Sequence, residues 1–200
     1  DGNYSITTTE LADGTQTLTI TTTDAAGNTD STTQAITVDT KMAAPTADIE
    51  AGSDTGIAND DDITADNTPT IDGTGEAGAS VEITNAAGQV VGTGTVDSEG
   101  NYSVTTSALA DGTQDLTITT TDTAGNEAST TQAISVDTGI VKPTADINAG
   151  SDTAINDDNI TADNTPTIDG TGEAGASVEI TNAAGQVVGT GTVDSEGNYS

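Results

Sequence analysis

The 200-residue sequence has no cysteine, histidine, arginine, tryptophan or phenylalanine, and Lys41 and Lys142 are its two basic residues. Each absence excludes something. Without cysteine there is no disulfide framework, so a small repetitive fold needs another staple. Without histidine or cysteine there is no Ser–His or Cys–His nucleophile and no imidazole or thiolate metal ligand. A formal net charge of −31 leaves no basic surface for nucleic-acid phosphates or an anionic membrane. Tyr4, Tyr102 and Tyr199 are the only aromatic residues, so a carboxylate-pair glycosidase would lack its ring platforms. No enzyme is expected. No apolar run reaches membrane-spanning length and no signal-peptide pattern is present, so no direct membrane insertion is expected. The sequence opens and closes mid-repeat, like a window on something longer.

What is present is repetition. DGNYSITTTELADGTQTLTITTTDAAGN at Asp1 returns as EGNYSVTTSALADGTQDLTITTTDTAGN at Glu99, and the 39 residues from Ala65 return unchanged from Ala162. Such a period, close to a hundred residues, is a normal size for one domain. The expected organisation is residues 1–40 as the closing part of one repeat, 41–138 as a complete repeat and 139–200 as the opening part of the next. Between them lie two acidic junctions, Asp39–Thr68 and Asp137–Thr165, each with a single lysine. SDTGIANDDDIT in the first shortens to SDTAINDDNIT in the second, a length change that marks a loop. Bare carboxylates crowded in this way repel one another, so the joint should be loose unless a cation neutralises it. A hard ion with a preference for oxygen, Ca²⁺ above all, is the expected partner. The alternative is that the acids serve solubility alone.

Alternation of apolar and polar residues predicts strands at Asn3–Thr9, Gln16–Thr23 and Thr32–Asp39. In the complete repeat it predicts a short edge strand at Pro45–Ile49. Further strands follow at Thr68–Gly73, Ala79–Asn85, Gln89–Val96, Tyr102–Thr106, around Leu116–Thr120, and at Thr130–Val136. Turn sequences such as DAAGN, NAAGQ and DSEGN separate them. No segment sustains a helical period. Short strands with regular turn signals point to an all-β chain of antiparallel sandwiches with about seven strands each.

TPTIDGTGEAGASVEITN, GNYSVTTSALADGTQDLTITTTDTAGN and AISVDT, taken in this order, resemble the bacterial immunoglobulin-like repeats of giant RTX-type surface adhesins. The resemblance implies tandem immunoglobulin-like β-sandwiches joined end to end, exported by type I secretion to the bacterial cell surface. They would act as extenders that hold a terminal ligand-binding region away from the cell in adhesion and biofilm formation. It also implies Ca²⁺ at the joints. Carried over onto this sequence, the ligands would be the turn residues Asp24 and Asp122, the strand-closing Asp39 and Asp137, and acids of the junctions. These are Asp48, Asp54, Asp62 and Asp66 in the first copy, and Asp146, Asp152, Asp158 and Asp163 in the second. Asp60, Asp61 and Asp157 remain further candidates because the length change leaves that pairing open.

Other motifs read plainly. GTGEAG at Gly73–Gly78 and Gly170–Gly175 fits G-x-G-x-x-G, but a strand-forming ASVEITN follows it where a phosphate site needs a helix. It is read as a turn. NYS at Asn3, Asn101 and Asn198 fits a glycosylation sequon and is read as a strand start whose tyrosine packs inward. The expected partners are neighbouring repeats of the same protein. Two other readings stand beside the extender: a glycan- or protein-binding module, and a fibre subunit whose half-domains complete one another head to tail.

Overall fold

A computed structural model of the chain describes residues 2–58, 60–153, 155 and 158–200. They fall into two compact units, Asp1–Thr138 and Gly139–Ser200. Among the described residues every regular element is a strand.

The first unit begins with a hairpin of β1 (Gly14–Thr23) and β2 (Thr29–Val38), paired from Gly14↔Val38 to Thr23↔Thr29. Its turn is built by one side chain. Asp24 Oδ1 accepts the backbone N–H groups of Ala26 at 2.8 Å and Asn28 at 2.9 Å, while Gly27 takes φ +86°. Asn3–Thr9, expected as a strand, is not one. It has the right alternation, but among the described residues no strand pairs with it, and Tyr4 and Ile6 lie exposed. Pattern without a partner does not make a strand.

The complete repeat carries β3 (Asp48–Ile49), β4 (Ile63–Thr64), β5 (Thr70–Thr74), β6 (Ser80–Thr84), β7 (Val90–Thr95), β8 (Asn101–Thr105), β9 (Gly112–Thr121) and β10 (Glu127–Val136). One sheet has the order β4-β10-β9-β6-β7 and the other β3-β5-β8. Ile71 and Val104 of the small sheet join Val81, Ile83, Leu116, Ile118, Ile134 and Val136 of the large one in a single buried cluster. With no Phe or Trp available, these branched aliphatics supply the core, each worth roughly 1.5–3 kcal/mol when fully buried.

Two details depart from the expected pattern. The sandwich has eight strands, and β4 runs parallel to β10, pairing Ile63↔Ser135 and Thr64↔Val136. Two residues are too few for alternation to reveal. Tertiary bonds hold them: Thr64 Oγ1 donates to Ser53 O at 2.5 Å, and Asp137 N–H donates to Thr64 O at 2.8 Å. Most of the acidic junction is therefore stitched into the wall of the repeat, and is not a free loop between repeats.

The edge strand is fastened by Tyr102, whose hydroxyl donates to Thr46 O at 2.5 Å. The ring lies over Gly73, where an added Cβ would stand 2.0 Å from Thr46 O and 2.4 Å from the tyrosine hydroxyl. Only glycine fits there.

The second unit repeats the opening half with β11 (Asp146–Ile147), β12 (Ile168–Thr171), β13 (Ser177–Thr181), β14 (Val187–Thr192) and β15 (Asn198–Tyr199). Their pairings are β11-β12-β15 and β13-β14. Tyr199 donates to Thr144 O at 2.5 Å, the same fastening.

Candidate metal centre

Three carboxylates meet where the first repeat ends and the complete one begins. Asp39 follows β2 directly. Glu76 lies in the turn between β5 and β6, which Ala79 N–H closes by donating to Glu76 O at 3.0 Å. Asp122 opens the turn between β9 and β10. One carboxylate oxygen from each lies within 4.8 Å of the other two. At water-like screening, charges at that spacing repel by about 1 kcal/mol per pair.

The turn sequence DTAGN holds Asp122 in place. Its Oδ1 accepts the N–H groups of Ala124 at 2.7 Å and Asn126 at 2.9 Å, and its Oδ2 accepts Asn126 Nδ2 at 2.8 Å. These bonds, the Asn126 side-chain amide foremost, hold the carboxyl below its ordinary range. Asn126 Nδ2 also donates to Asp39 O at 3.0 Å, so one amide ties the turn to the preceding repeat. On the exit side, Asp13 accepts the Thr40 hydroxyl at 2.8 Å and pairs with Lys41 at 3.0 Å. That contact, Thr40 first and Lys41 second, holds Asp13 low as well. Asp39 thus sits between two anchored neighbours.

A bacterial Ig-like domain model matches residues 1–40 and 41–138, and a bacterial Ig domain model matches 153–200. The chain belongs to the bacterial Ig-like domains. Similar solved structures include a tetra-tandem repeat from the extending region of a large adhesion protein, with 28% identity over 94% of this chain and 48% of that one, at a TM-score of 0.42. A Ca²⁺-stabilized adhesin with which an Antarctic bacterium binds ice shows 30% identity over 94% of this chain and 48% of that one, at 0.37. The BSP domain of a biofilm-associated protein shows 23% identity over 68% and 22%, at 0.33. The chain spans less than half the length of these three proteins. No curated protein matches it.

Within the Ig-like repeat a second acidic group lies along the junction wall. Asp54 is 4% exposed, and its Oδ1 has no hydrogen-bond partner among the described residues. Asp62, in a left-handed backbone conformation at φ 59°, faces it. Burial, then the charges of Asp48 and Asp54, and less so Asp61, push the Asp62 carboxyl up. This group is looser than the triad, which is the one set of three at such spacing among the described residues.

The remaining sequence-derived candidates are distributed as follows. Asp24 builds the same turn in the first repeat and is not part of the triad. Asp66 caps its own turn, accepting Thr68 N–H and Oγ1, as Asp163 does for Thr165. Asp60 is exposed. Asp137 follows β10 as Asp39 follows β2. In the second unit Asp152 is buried like Asp54, Asp146 accepts Ile147 N–H and Asp158 accepts Ile160 N–H. Asp157 lies outside the described residues.

Glu76 escaped the sequence reading, which took GTGEAG as a turn alone. Its signal was an acid retained, as Glu173, inside an otherwise small-residue loop. The all-oxygen donor set fits a hard divalent cation: oxygens bound at 2.3–2.6 Å to one Ca²⁺ lie up to about 5 Å apart.

Proposed function

We propose that this chain is an extender segment of a large bacterial surface adhesin, in which Ca²⁺ stiffens the joints between Ig-like repeats. One observation carries the reading: the triad is divided between consecutive repeats, with Asp39 at the exit of one and Glu76 and Asp122 at the entry of the next. Such a division serves a joint and serves no single domain.

Asp39, Glu76 and Asp122 would hold the ion, with Asn126 fixing the direction of Asp122 and Asp13 fixing the backbone beside Asp39. A bound Ca²⁺ supplies two positive charges against three negative ones. Without that neutralisation the carboxylates push the two repeats apart and the joint bends. Asp54, with Asp48 and Asp62, offers a further oxygen-lined place inside the repeat, where a buried carboxylate oxygen without a partner carries a desolvation cost. Affinity suited to extracellular calcium, in the millimolar range of extracellular modules, would leave the array loose before export and stiff after it. Near-identical repeats and a uniformly acidic surface suit a spacer held away from the cell, in service of adhesion and biofilm formation.

Small-angle scattering on the 200-residue chain, with calcium and then with excess chelator, tests this. The expected result is a larger maximum dimension in calcium, reversed by chelator and lost in a Glu76→Gln/Asp122→Asn double variant. Identical curves in both buffers would overturn the reading.

A further inference from the structure

We infer that the acidic wall of the complete repeat binds a hard divalent cation of the Ca²⁺ class through Asp48, Asp54 and Asp62, and that Asn148 and Asn159 lessen the need for it in the later copy. The inference rests on the calcium reading for the choice of ion and on nothing at the joint triad.

The two copies build the same backbone here. Glu50 O accepts the N–H groups of Ser53 at 2.7 Å and Asp54 at 3.0 Å, as Asn148 O accepts those of Ser151 at 2.8 Å and Asp152 at 3.0 Å. Thr64 Oγ1 donates to Ser53 O and Thr161 Oγ1 to Ser151 O, each at 2.5 Å. The Ser53 and Ser151 hydroxyls accept Thr70 N–H and Thr167 N–H, each at 3.0 Å. Asp62 and its counterpart Asn159 both take a left-handed backbone, at φ 59° and 58°. Side chains, not backbone, set the copies apart.

Five acids line this wall in the complete repeat: Asp48, Glu50, Asp54, Asp62 and Asp72. The later copy keeps three of them, as Asp146, Asp152 and Asp169, and has Asn148 and Asn159 in the other two places. Asp48 is directly opposite Asp72 across β3 and β5, as Asp146 is opposite Asp169 across β11 and β12. Like charges so placed destabilise a sheet. The later copy relieves its pair with a donor, since Asp169 accepts the Asn148 side-chain amide as well as the Ser200 hydroxyl. In the complete repeat Ser103 stands opposite Asp72, but Glu50 takes the place of the amide and has no side-chain N–H to give. Asp72 Oδ1 is there a buried oxygen without a hydrogen-bond partner among the described residues.

A deeper group carries the inference. Asp54 is 4% exposed, and its Oδ1 also lacks a partner among the described residues. Asp62 lies within reach of the charges of both Asp48 and Asp54. A buried carboxylate oxygen left unmet is costly, and Lys41 is engaged elsewhere, with Asp13 at 3.0 Å. A cation supplies what no protein donor does here. The three carboxylates stand further apart than those of the triad, so the ion draws flexible side chains inward and water completes its shell, an arrangement Ca²⁺ tolerates. Charge count tunes the affinity of such sites. With two acids replaced by amides, the later wall binds the ion more weakly and depends on it less.

Hydrogen exchange on the full chain carrying Glu76→Gln and Asp122→Asn, which removes the joint ligands, isolates the wall. The amides to read are Ser135 and Asp137, which donate to Asp62 O and Thr64 O, each at 2.8 Å. Calcium added to chelator-treated protein should slow their exchange saturably, by about 10-fold at a free concentration ten times the dissociation constant. Sodium chloride at matched ionic strength should do much less. Adding Glu50→Asn and Asp62→Asn, the residues of the later copy on the same backbone, should remove most of the calcium effect and slow exchange in chelator. Asp54→Asn in the chain with its triad intact is a second, independent variant, expected to act in the same way at these amides while the scattering response to calcium persists. Exchange at Ser135 and Asp137 that ignores calcium, or a calcium effect unchanged by these variants, would overturn the proposal. Scattering that responds to calcium without any response in exchange leaves the joint reading standing and this one fallen. Exchange that responds while scattering does not has the opposite meaning.

Discussion

Asn126 has two acceptors and one of them belongs to another repeat. Its amide holds Asp122 in the direction that completes the triad and at the same time grips Asp39 O. If the triad holds Ca²⁺ as proposed, replacing Asn126 with alanine should weaken calcium binding there about 10-fold, the lower end of what losing a ligand-orienting partner costs. Asn28→Ala removes the same turn bond from Asp24 and should leave that affinity unchanged, and titration calorimetry on both variants separates the two. Tyr102 works inside the repeat. Burial, with the Asp72 charge behind it, pushes its phenol up to about 12, while in the unfolded chain tyrosine ionises near 10. The folded form therefore favours the protonated phenol. Its stabilisation is complete below about pH 10 and decays as pH rises toward 12. Alkaline titration followed at once by tyrosinate absorbance and circular dichroism should show ionisation of Tyr102 coinciding with loss of structure. Tyr102→Phe should cost about 1 kcal/mol at neutral pH and remove that alkaline component.

At the scale of elements, the strands with five or more residues were readable because alternation and Asx-type turns agree about them. DAAGN, DTAGN, NAAGQ and DSEGN announce their turns through an Asp or Asn that accepts two backbone N–H groups and a glycine at positive φ. Two things could not be read. Asn3–Thr9 has the composition of β8 and lacks its neighbour, so partner availability decided its state. β4 is too short for any period and exists because Thr64 bonds to Ser53 and β10 offers an edge. Thr64→Val keeps the shape and deletes the hydroxyl. It should destabilise the repeat by about 1–3 kcal/mol and speed hydrogen exchange at Ser135 and Asp137, while amides between β6 and β9 stay protected. The site was half-legible for a related reason. Asp39 and Asp122 stand in recurring motifs, whereas Glu76 gains its meaning only when the β5–β6 turn is seen beside the end of β2.

The whole molecule is a polyanion of −31 with two lysines, and self-repulsion is its general handicap. Screening by salt and neutralisation by a bound ion relieve that handicap differently. In chelator, the melting temperature should rise smoothly with sodium chloride. Calcium at matched ionic strength should raise it further and in a saturable way, as ligand linkage requires. Equal effects of the two salts in a calorimetric scan would leave the acids as general solubilisers.

The division of the triad has a consequence for ancestry. The complete repeat carries Glu76 and Asp122 at its entry and, at its exit, Asp137, the sequence counterpart of Asp39, so on the proposed reading a whole unit can be duplicated or deleted without leaving a mismatched seam. Near-identical coding stretches invite that kind of unequal recombination. If the proposed joint recurs along a longer array, its reach can drift between lineages by whole steps while the joint chemistry is kept.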